Sequence, residues 1–209
     1  MAFADHYQRD ARPELSEQDI SVLARLEGGA AGLTSFLATH AGGSFADGLY
    51  RIHECSTMWK WIQRAEEAFP DFRNRLFCFG GDWLGRMFSL DFARRGNGQW
   101  LVLMLEPGSG TVLEIDAGFM EFHDKELVQY PNEALAVDFF DTWKTSGGAS
   151  PGFAECIGYK TPLFLGGSDT LLNLGLTDLE VYWSITGQLL SKVRQLPEGA
   201  VIFRIGLKD

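Results

Sequence analysis

Residues 163–190, LFLGGSDTLLNLGLTDLEVYWSITGQLL, carry the clearest structural signals in the chain. Gly166 and Gly167 follow a short apolar run, and because glycine accepts positive φ angles they predict a sharp reversal. Thr177 and Glu180 have the spacing of a capping box, in which each side chain bonds the backbone N–H of the other residue. The stretch therefore predicts an apolar extended segment, a turn and the start of a helix.

The helix predicted over residues 177–193 has a wide apolar stripe. Gly187 lies inside it, where glycine costs roughly 1 kcal/mol relative to alanine, so its presence indicates close approach by another backbone. These features build a turn and a buried helix, and none of them resembles an active site. The members of the stripe recur three, four or seven positions apart: Leu179, Tyr182, Trp183, Thr186, Leu189, Leu190 and Val193.

Upstream of this stretch, four short strands are predicted over residues 76–79, 86–91, 99–104 and 111–115. Glycine-rich separators join them, which is typical of an antiparallel meander. Hydrophobic periodicity also predicts three helices and one strand, over residues 16–27, 31–40, 57–68 and 49–53. Ser56 is expected to cap the third helix, and the apolar stripe of that helix is expected to be Trp59, Ile62, Ala65 and Phe69.

Downstream of the meander, a helix is predicted from Pro131 to Trp143, with Asn132 as its cap. Residues 146–152, SGGASPG, form a short linker between packed parts. An extended edge segment is predicted over 160–165 and a last strand over 200–205. These elements predict an α+β fold, with a central antiparallel-rich sheet, flanking helices and a C-terminal helix–strand unit in one compact two-lobed body.

Composition excludes several classes of protein. The net charge is −10, which disfavours binding to nucleic acid or to an anionic membrane, because both need a basic surface. The three cysteines contain no CxxC pair and cannot complete a disulfide framework. We find no apolar core of a signal peptide and no apolar run long enough to span a membrane, so we expect a cytoplasmic protein.

Motifs for catalysis and metal binding are weak throughout the chain. The four histidines lack metal-ligand spacing, and Ser109 lies in a predicted hairpin turn. His53 and Cys55 share a face, but their surroundings are acidic and apolar, which does not activate a thiol. The glycine-rich residues 80–85 lack the Lys and Ser/Thr of a phosphate loop, and Asp82 would repel phosphate. We therefore expect no enzyme activity, no metal and no cofactor.

An acidic segment is the strongest functional signal that the residues themselves carry. Nine acids and one lysine between Glu106 and Asp141 give it a net charge of −8, which is typical of a docking surface for a basic partner. Aromatic and methionine side chains interleave with these acids, either as interface anchors or as core residues: Phe119, Met120, Phe122 and Tyr130. The predicted binding residues are Glu114, Asp116, Glu121, Asp124, Glu126, Phe119 and Phe122.

Residues 156–189 also hold a longer motif: CIGYKTPLFLGGSDT from Cys156, Asn173 followed by leucine, and DLEVYWSITGQL from Asp178. This motif closely resembles the C-terminal domain family of type VI secretion immunity proteins. Residues 36–53, FLATHAGGSFADGLYRIH, resemble the GAD-like domain that commonly precedes it. The resemblance implies a GAD-like domain over 15–110 and an immunity-protein C-terminal domain over 111–209. Ser168 departs from relatives, many of which carry an acidic residue there.

The resemblance implies a bacterial cytoplasmic protein, encoded beside a toxin, that binds the toxin and blocks it in a stoichiometric complex. The best-understood members of the family are paired with DNase effectors, so the implied partner is a basic nuclease, with no direct contact to nucleic acid or membrane. The family offers no catalytic residues. Its motif positions here are interpreted as structural: Gly166, Gly167, Asp169, Asn173, Tyr182 and Trp183.

Two other functions stay open at this point. One is a small-molecule or nucleotide-binding regulatory domain, with a pocket near the turn at residues 80–85 or at 166–167. The other is a hydrolase whose site is assembled from scattered residues.

Overall fold

The computed structural model describes residues 2–7 and 23–197. The strand predicted over 200–205 lies outside these residues, as does most of the helix predicted over 16–27. Within the described part, six antiparallel strands form one sheet and two form a separate hairpin, with helices packed around them. The α+β class predicted from the sequence is confirmed.

The large sheet is a meander in which each strand pairs with the next strand along the chain. The five strands predicted from alternation and from the glycine-rich separators are all present. Asn97 and Gly98 have φ angles of 49° and 78°, which is the left-handed geometry of a two-residue hairpin turn. The strands are β1 Ser44–Phe45, β2 Tyr50–Ile52, β3 Leu76–Asp82, β4 Met87–Gly96, β5 Gln99–Glu106 and β6 Thr111–Gly118.

Helices cover both faces of this sheet. One face carries α1 Ala2–His6, α2 Leu33–His40 and the helical segment 119–129. That segment consists of α4 Phe119–Glu121, a π-helical turn Phe122–Glu126 and α5 Leu127–Gln129. The other face carries α3 Met58–Ala68 and α8 Leu179–Val193. Two further helices, α6 Pro131–Leu135 and α7 Val137–Thr145, follow the helical segment 119–129 in the sequence.

Two cores result, one on each side of the sheet. Successive side chains of a strand point to opposite faces, so Phe77 and Phe79 of β3 enter the first core while Leu76 and Cys78 enter the second. The second core also brings α3 against α8. A Cβ on Gly187 would lie 3.3 Å from the Ala68 Cβ, which confirms the close approach predicted from that glycine.

The hairpin consists of β7 Glu155–Tyr159 and β8 Leu174–Asp178. The extended segment predicted over 160–165 is wrong, because the strand ends at Tyr159 and a 3₁₀ turn follows at Leu163–Leu165. Pro162 has no N–H to give to a ladder, which is consistent with a strand that ends before it. Gly166 has a φ of 85° and ends this turn, so the reversal predicted there is confirmed.

The start of α8 differs from the predicted capping box. Its N-cap is Asp178, whose Oδ1 accepts the Val181 N–H at 2.8 Å. Thr177 belongs to β8, and Glu180 turns away to pair with two cations of α3 at 2.8 and 3.0 Å. The capping-box prediction is therefore wrong in its residues, although the helix itself is confirmed.

The helix predicted from Pro131 to Trp143 is interrupted. Ala136 adopts a φ of 52° and separates α6 from α7. Asn132 does not cap the first helix, because its Oδ1 accepts the Asp138 N–H at 3.1 Å at the start of the second. A single side chain thus stabilises the break between the two helices.

The apolar face predicted for α3 is also corrected. Ala65 and Phe69 are buried and Ile62 packs against both cores, as predicted, but Trp59 is 65% exposed. The other buried side chains of the helix are Met58, Trp61 and Ala68. Ser56 lies within a 3₁₀ turn, and the N-cap position Thr57 makes no side-chain cap. The prediction is therefore wrong in the first turn of the helix, where Met58 and Trp61 are buried and Trp59 is not.

The predicted boundary between residues 110 and 111 falls in the turn between β5 and β6. Strands on both sides of it share one sheet, so the two predicted domains pack as a single body here. The division itself stays a prediction, as does the assignment of 146–152 as a linker. None of the helices in the described residues is long and apolar enough to cross a membrane.

Candidate functional site

The predicted docking residues begin on β6, at the edge of the large sheet. Glu114 and Asp116 have side chains that are 61% and 92% exposed. Both carboxylates face Arg94 of β4, whose guanidinium lies 3.3 Å from Glu114 Oε2 and 2.8 Å from Asp116 Oδ1. One cation thus partly balances two acids, and net negative charge remains at this edge. Sequence reasoning missed Arg94, because the predicted strand ended before it.

Three more of the predicted acids lie on the helical segment 119–129. Glu121 is half exposed and pairs with Lys125 one turn further along, at 3.3 Å. Asp124 accepts the backbone N–H of Phe3 at 3.1 Å, so this carboxylate holds α1 in place. Glu126 is partly exposed. The segment therefore offers Glu121 and Glu126 to a partner, while Asp124 is engaged in an internal contact.

The structure brings one acid of β6, Asp116, close to one acid of the helical segment, Glu121. Asp116 and Glu121 line one shallow hollow of about 170 Å³, which Ala31 and Gln99 also border. We call Glu114, Asp116, Glu121 and Glu126 the acidic surface. Because it spans a strand edge and a helix, it is assembled by the fold from two elements.

Phe119 and Phe122 do not belong to this surface. Both are buried, with exposures of 1% and 0%. The Phe119 ring packs edge-on against Phe79 at 5.0 Å, and the Phe122 ring lies 5.0 Å from Phe88. The prediction that these two rings contact a partner is corrected, since they anchor the helical segment to the sheet.

A buried histidine fixes the helical segment more tightly. The Nδ1 of His123 lies 2.8 Å from the Phe119 carbonyl oxygen, which requires the proton on Nδ1. The Nε2 then accepts the Tyr50 hydroxyl at 2.9 Å, which joins the segment to β2. Burial lowers the pKa of His123 to about 3, so the ring is neutral at physiological pH. No sequence motif signalled this pair.

The family-motif residues lie in two places. Four of them belong to the loop that joins β7 to β8, and the two aromatic ones belong to the second core. Asn173 clamps the loop, because its Nδ2 donates to Thr161 O and Ser168 O at 2.8 and 2.9 Å, while its Oδ1 accepts the Thr161 N–H at 2.9 Å. Asp169 Oδ1 accepts the Tyr159 hydroxyl at 2.8 Å. Gly167 sits inside this clamp, with no room for a side chain beside Asn173.

The two aromatic motif residues lie in the second core. Trp183 is 1% exposed and its Nε1 donates to Gly85 O at 2.9 Å, which ties α8 to the turn after β3. Tyr182 is buried, and its hydroxyl accepts the Tyr159 N–H at 3.4 Å. These contacts support the structural interpretation of the motif.

The glycine-rich turn at residues 80–85 is already filled by the protein itself. Asp82 is fully buried, and its Oδ1 accepts the N–H groups of Leu84 and Arg86 at 3.0 Å each. Its Oδ2 lies 2.5 Å from the Arg86 Nε. A phosphate would need the same N–H groups, so this turn cannot cradle one.

The candidate nucleophiles and bases occupy structural positions. Ser109 lies 2.6 Å from Thr111 Oγ1 within the hairpin turn. His53 is buried with its Nε2 2.9 Å from the Met87 sulfur, and Cys55 is a partly exposed thiol in the 3₁₀ turn that follows. Among the residues that the structure describes, no group of three His, Cys, Asp or Glu side chains could hold a metal.

Known proteins resemble this chain both in sequence and in fold. Residues 117–190 match the model of a family described as the T6SS immunity protein Tdi1, C-terminal. This segment, about a third of the chain, is thus similar to the C-terminal domain of the Tdi1 immunity proteins. The family predicted from residues 156–189 is therefore confirmed, and the Tdi1-type segment runs from the end of β6 to α8. The GAD-like assignment upstream stays a prediction.

The fold itself is shared with a solved structure. The crystal structure of Atu4351 from Agrobacterium tumefaciens superposes with a TM-score of 0.58 over 88% of this chain and 86% of that chain. The sequences are 14% identical, so this likeness shows the fold alone. No curated protein matches the chain.

Proposed function

We propose that this chain is an immunity protein of the Tdi1 type, that it neutralises a cognate toxin by binding it in a stoichiometric complex, and that the toxin is a DNase delivered by type VI secretion. The observation that carries the proposal is the family match over 117–190, which contains the helical part of the acidic surface. The complex would form in the cytoplasm, where such a toxin meets DNA.

The acidic surface suits a nuclease partner on electrostatic grounds. A nuclease binds a polyanion, so the surface around its active site is basic. Carboxylates that face such a surface accelerate the encounter, and their contribution falls as salt screens it. Glu114 and Asp116 are the most exposed acids of this set, and Arg94 balances only part of their charge.

Charge reversal tests the proposal directly. The triple variant with Glu114, Asp116 and Glu121 replaced by lysine should associate with the toxin encoded by the adjacent gene at least about tenfold more slowly at low ionic strength. Its association rate should also depend less on salt than that of the native chain. Asp124 is left unchanged, because its substitution would release α1.

A matched control uses three exposed acids from α6 and α7. Replacing Glu133, Asp138 and Asp141 with lysine changes the net charge equally but leaves the acidic surface intact. Both variants are titrated against the DNase activity of the toxin, and inhibition by the native chain should saturate at a 1:1 ratio. Equal rates for the two variants would show that the acidic surface does not dock. A native chain that leaves the toxin active at all ratios would refute the proposed function.

A further inference from the structure

The outer edge of β6 is a second feature of the same region, and it consists of backbone. The sheet runs in order from β1 to β6, so these two strands form its edges. β1 has two residues and β6 has eight. A long edge strand presents a row of N–H and C=O groups that can pair with another chain.

The hydrogen bonds of the sheet show which groups of β6 point outward. The Phe92 N–H donates to Arg75 O at 2.7 Å, so this residue directs its backbone groups away from β5. Directions alternate along a strand, and Phe88, four residues earlier, therefore also bonds towards β3. Phe88 is paired with Met104 of β5, which must then direct its own groups towards β6.

Met104 is in turn paired with Leu113 of β6, so Leu113 bonds inward to β5. Its neighbours Val112 and Glu114 consequently direct their N–H and C=O groups to the outer side of the sheet. Neither N–H has a hydrogen-bond acceptor among the residues that the structure describes. Among the described residues, the edge is thus open at Val112 and Glu114, and the strand predicted over 200–205 lies outside them.

The side chains of β6 determine which kind of strand can pair with this open edge. Glu114 and Asp116 leave net negative charge on one face of the strand, because among the described residues both form ion pairs with the same single cation, Arg94. Leu113 points to the opposite face and is 52% exposed. Like charges placed opposite each other on paired strands are destabilising, which disfavours pairing with a second copy of this chain. A strand with basic residues on one face and apolar residues on the other fits instead.

We propose that β6 binds an extended, basic segment of the toxin by strand addition, so that the large sheet gains a seventh strand from its partner. Main-chain bonds at Val112 and Glu114 hold that segment, while Glu114 and Asp116 select its basic residues. The proposal rests on the proposed function only for the identity of the partner. The open edge and its charge are properties of the part of this chain that the structure describes.

Amide hydrogen exchange tests the strand directly. The native chain is titrated with an acetylated eight-residue peptide of alternating valine and lysine, and with a control peptide in which glutamate replaces lysine. At half saturation with the basic peptide, the amides of Val112 and Glu114 should exchange about twofold more slowly. The glutamate peptide should protect neither amide. Binding of the basic peptide without protection of these two amides overturns the proposal, and so does an absence of binding.

Substitution separates backbone pairing from charge. Glu114→Pro removes an outward N–H that β5 does not use, and Glu114→Gln removes the same charge but keeps the N–H. The proline variant should bind the basic peptide about tenfold more weakly than the glutamine variant. Equal affinities overturn the proposal. If the proline variant does not fold, judged by its thermal unfolding, the exchange measurement on the native chain decides alone.

The toxin provides the last arm of the experiment. A toxin that binds and is inhibited while Val112 and Glu114 stay unprotected overturns strand addition and leaves the proposed function standing. A toxin that does not bind, together with a basic peptide that does, refutes the proposed function and leaves the open edge as a binding site for basic strands.

Discussion

Replacing His53 with phenylalanine should make the stability of this protein less sensitive to acid. The ring of His53 is buried after β2, stacked on Trp61 with 5.1 Å between ring centroids. Its Nε2 lies 2.9 Å from the Met87 sulfur. Burial, with the nearby charges of Arg51 and Lys60, lowers the pKa of His53 to about 3.

The size of the effect follows from the difference between the folded and unfolded pKa values. In the unfolded chain a histidine has a pKa of about 6.5, so it takes up a proton below that pH while the native ring stays neutral. The stabilisation is therefore complete above about pH 6.5 and is lost as the pH falls towards 3. Between pH 7 and pH 5, His53 should cost about 2 kcal/mol of unfolding free energy. His123 lies in the same situation and adds a similar loss.

Urea unfolding at pH 7, 6 and 5 and constant ionic strength measures this effect. The phenylalanine of His53→Phe can stack on Trp61 but does not titrate, so the variant should lose about 2 kcal/mol less than the native chain over this range. Subtracting the loss of the variant from that of the native chain removes the contributions of all other titratable groups, which are the same in both proteins. One of these is Glu106, whose pKa is raised by burial and which acts with the opposite sign. Equal losses in both proteins would refute the neutral, buried state of His53.

Two further predictions test corrected details of the fold by urea unfolding at pH 7. Asp178→Ala should cost about 1 kcal/mol, because it removes the acceptor of the Val181 N–H, whereas Thr177→Ala should cost clearly less; the reverse ranking would restore the capping box. Trp61→Ala should cost about 3–5 kcal/mol, whereas Trp59→Ser, at a site that is 65% exposed, should stay within about 0.5 kcal/mol. Similar costs at the two tryptophans would contradict the orientation of α3.

The meander could be predicted from the sequence because its signals are local. The turn at Asn97–Gly98 requires positive φ angles at two successive residues. Asparagine and glycine tolerate such angles best, so the residue types themselves indicate the turn. Alternation then identifies the strands on either side. β1 carries no comparable signal, because it has two residues and owes its pairing to β2.

Errors arose where tertiary contacts choose between equivalent local options. Thr177 and Asp178 are both acceptable N-caps, and Glu180 would complete a capping box with the first of them. Lys60 and Arg64 on α3 attract the Glu180 carboxylate instead, and pairing with β7 holds Thr177 in a strand. These partners are more than a hundred residues away or lie on another strand, so no local pattern could reveal them.

The acidic surface shows the same limit, and its consequence bears on function. Aromatic and acidic residues alternate along residues 119–126, which is equally compatible with an anchored interface and with an amphipathic helix on a core. Phe119 and Phe122 take the second role and leave mainly charge on the outside. Charge contributes more to association rate than to affinity, so lasting inhibition of a toxin needs additional apolar or backbone contacts. Leu113 is 52% exposed and lies beside the edge that is open among the described residues, so we propose that such contacts form on β6, next to the acids that would guide a basic partner there.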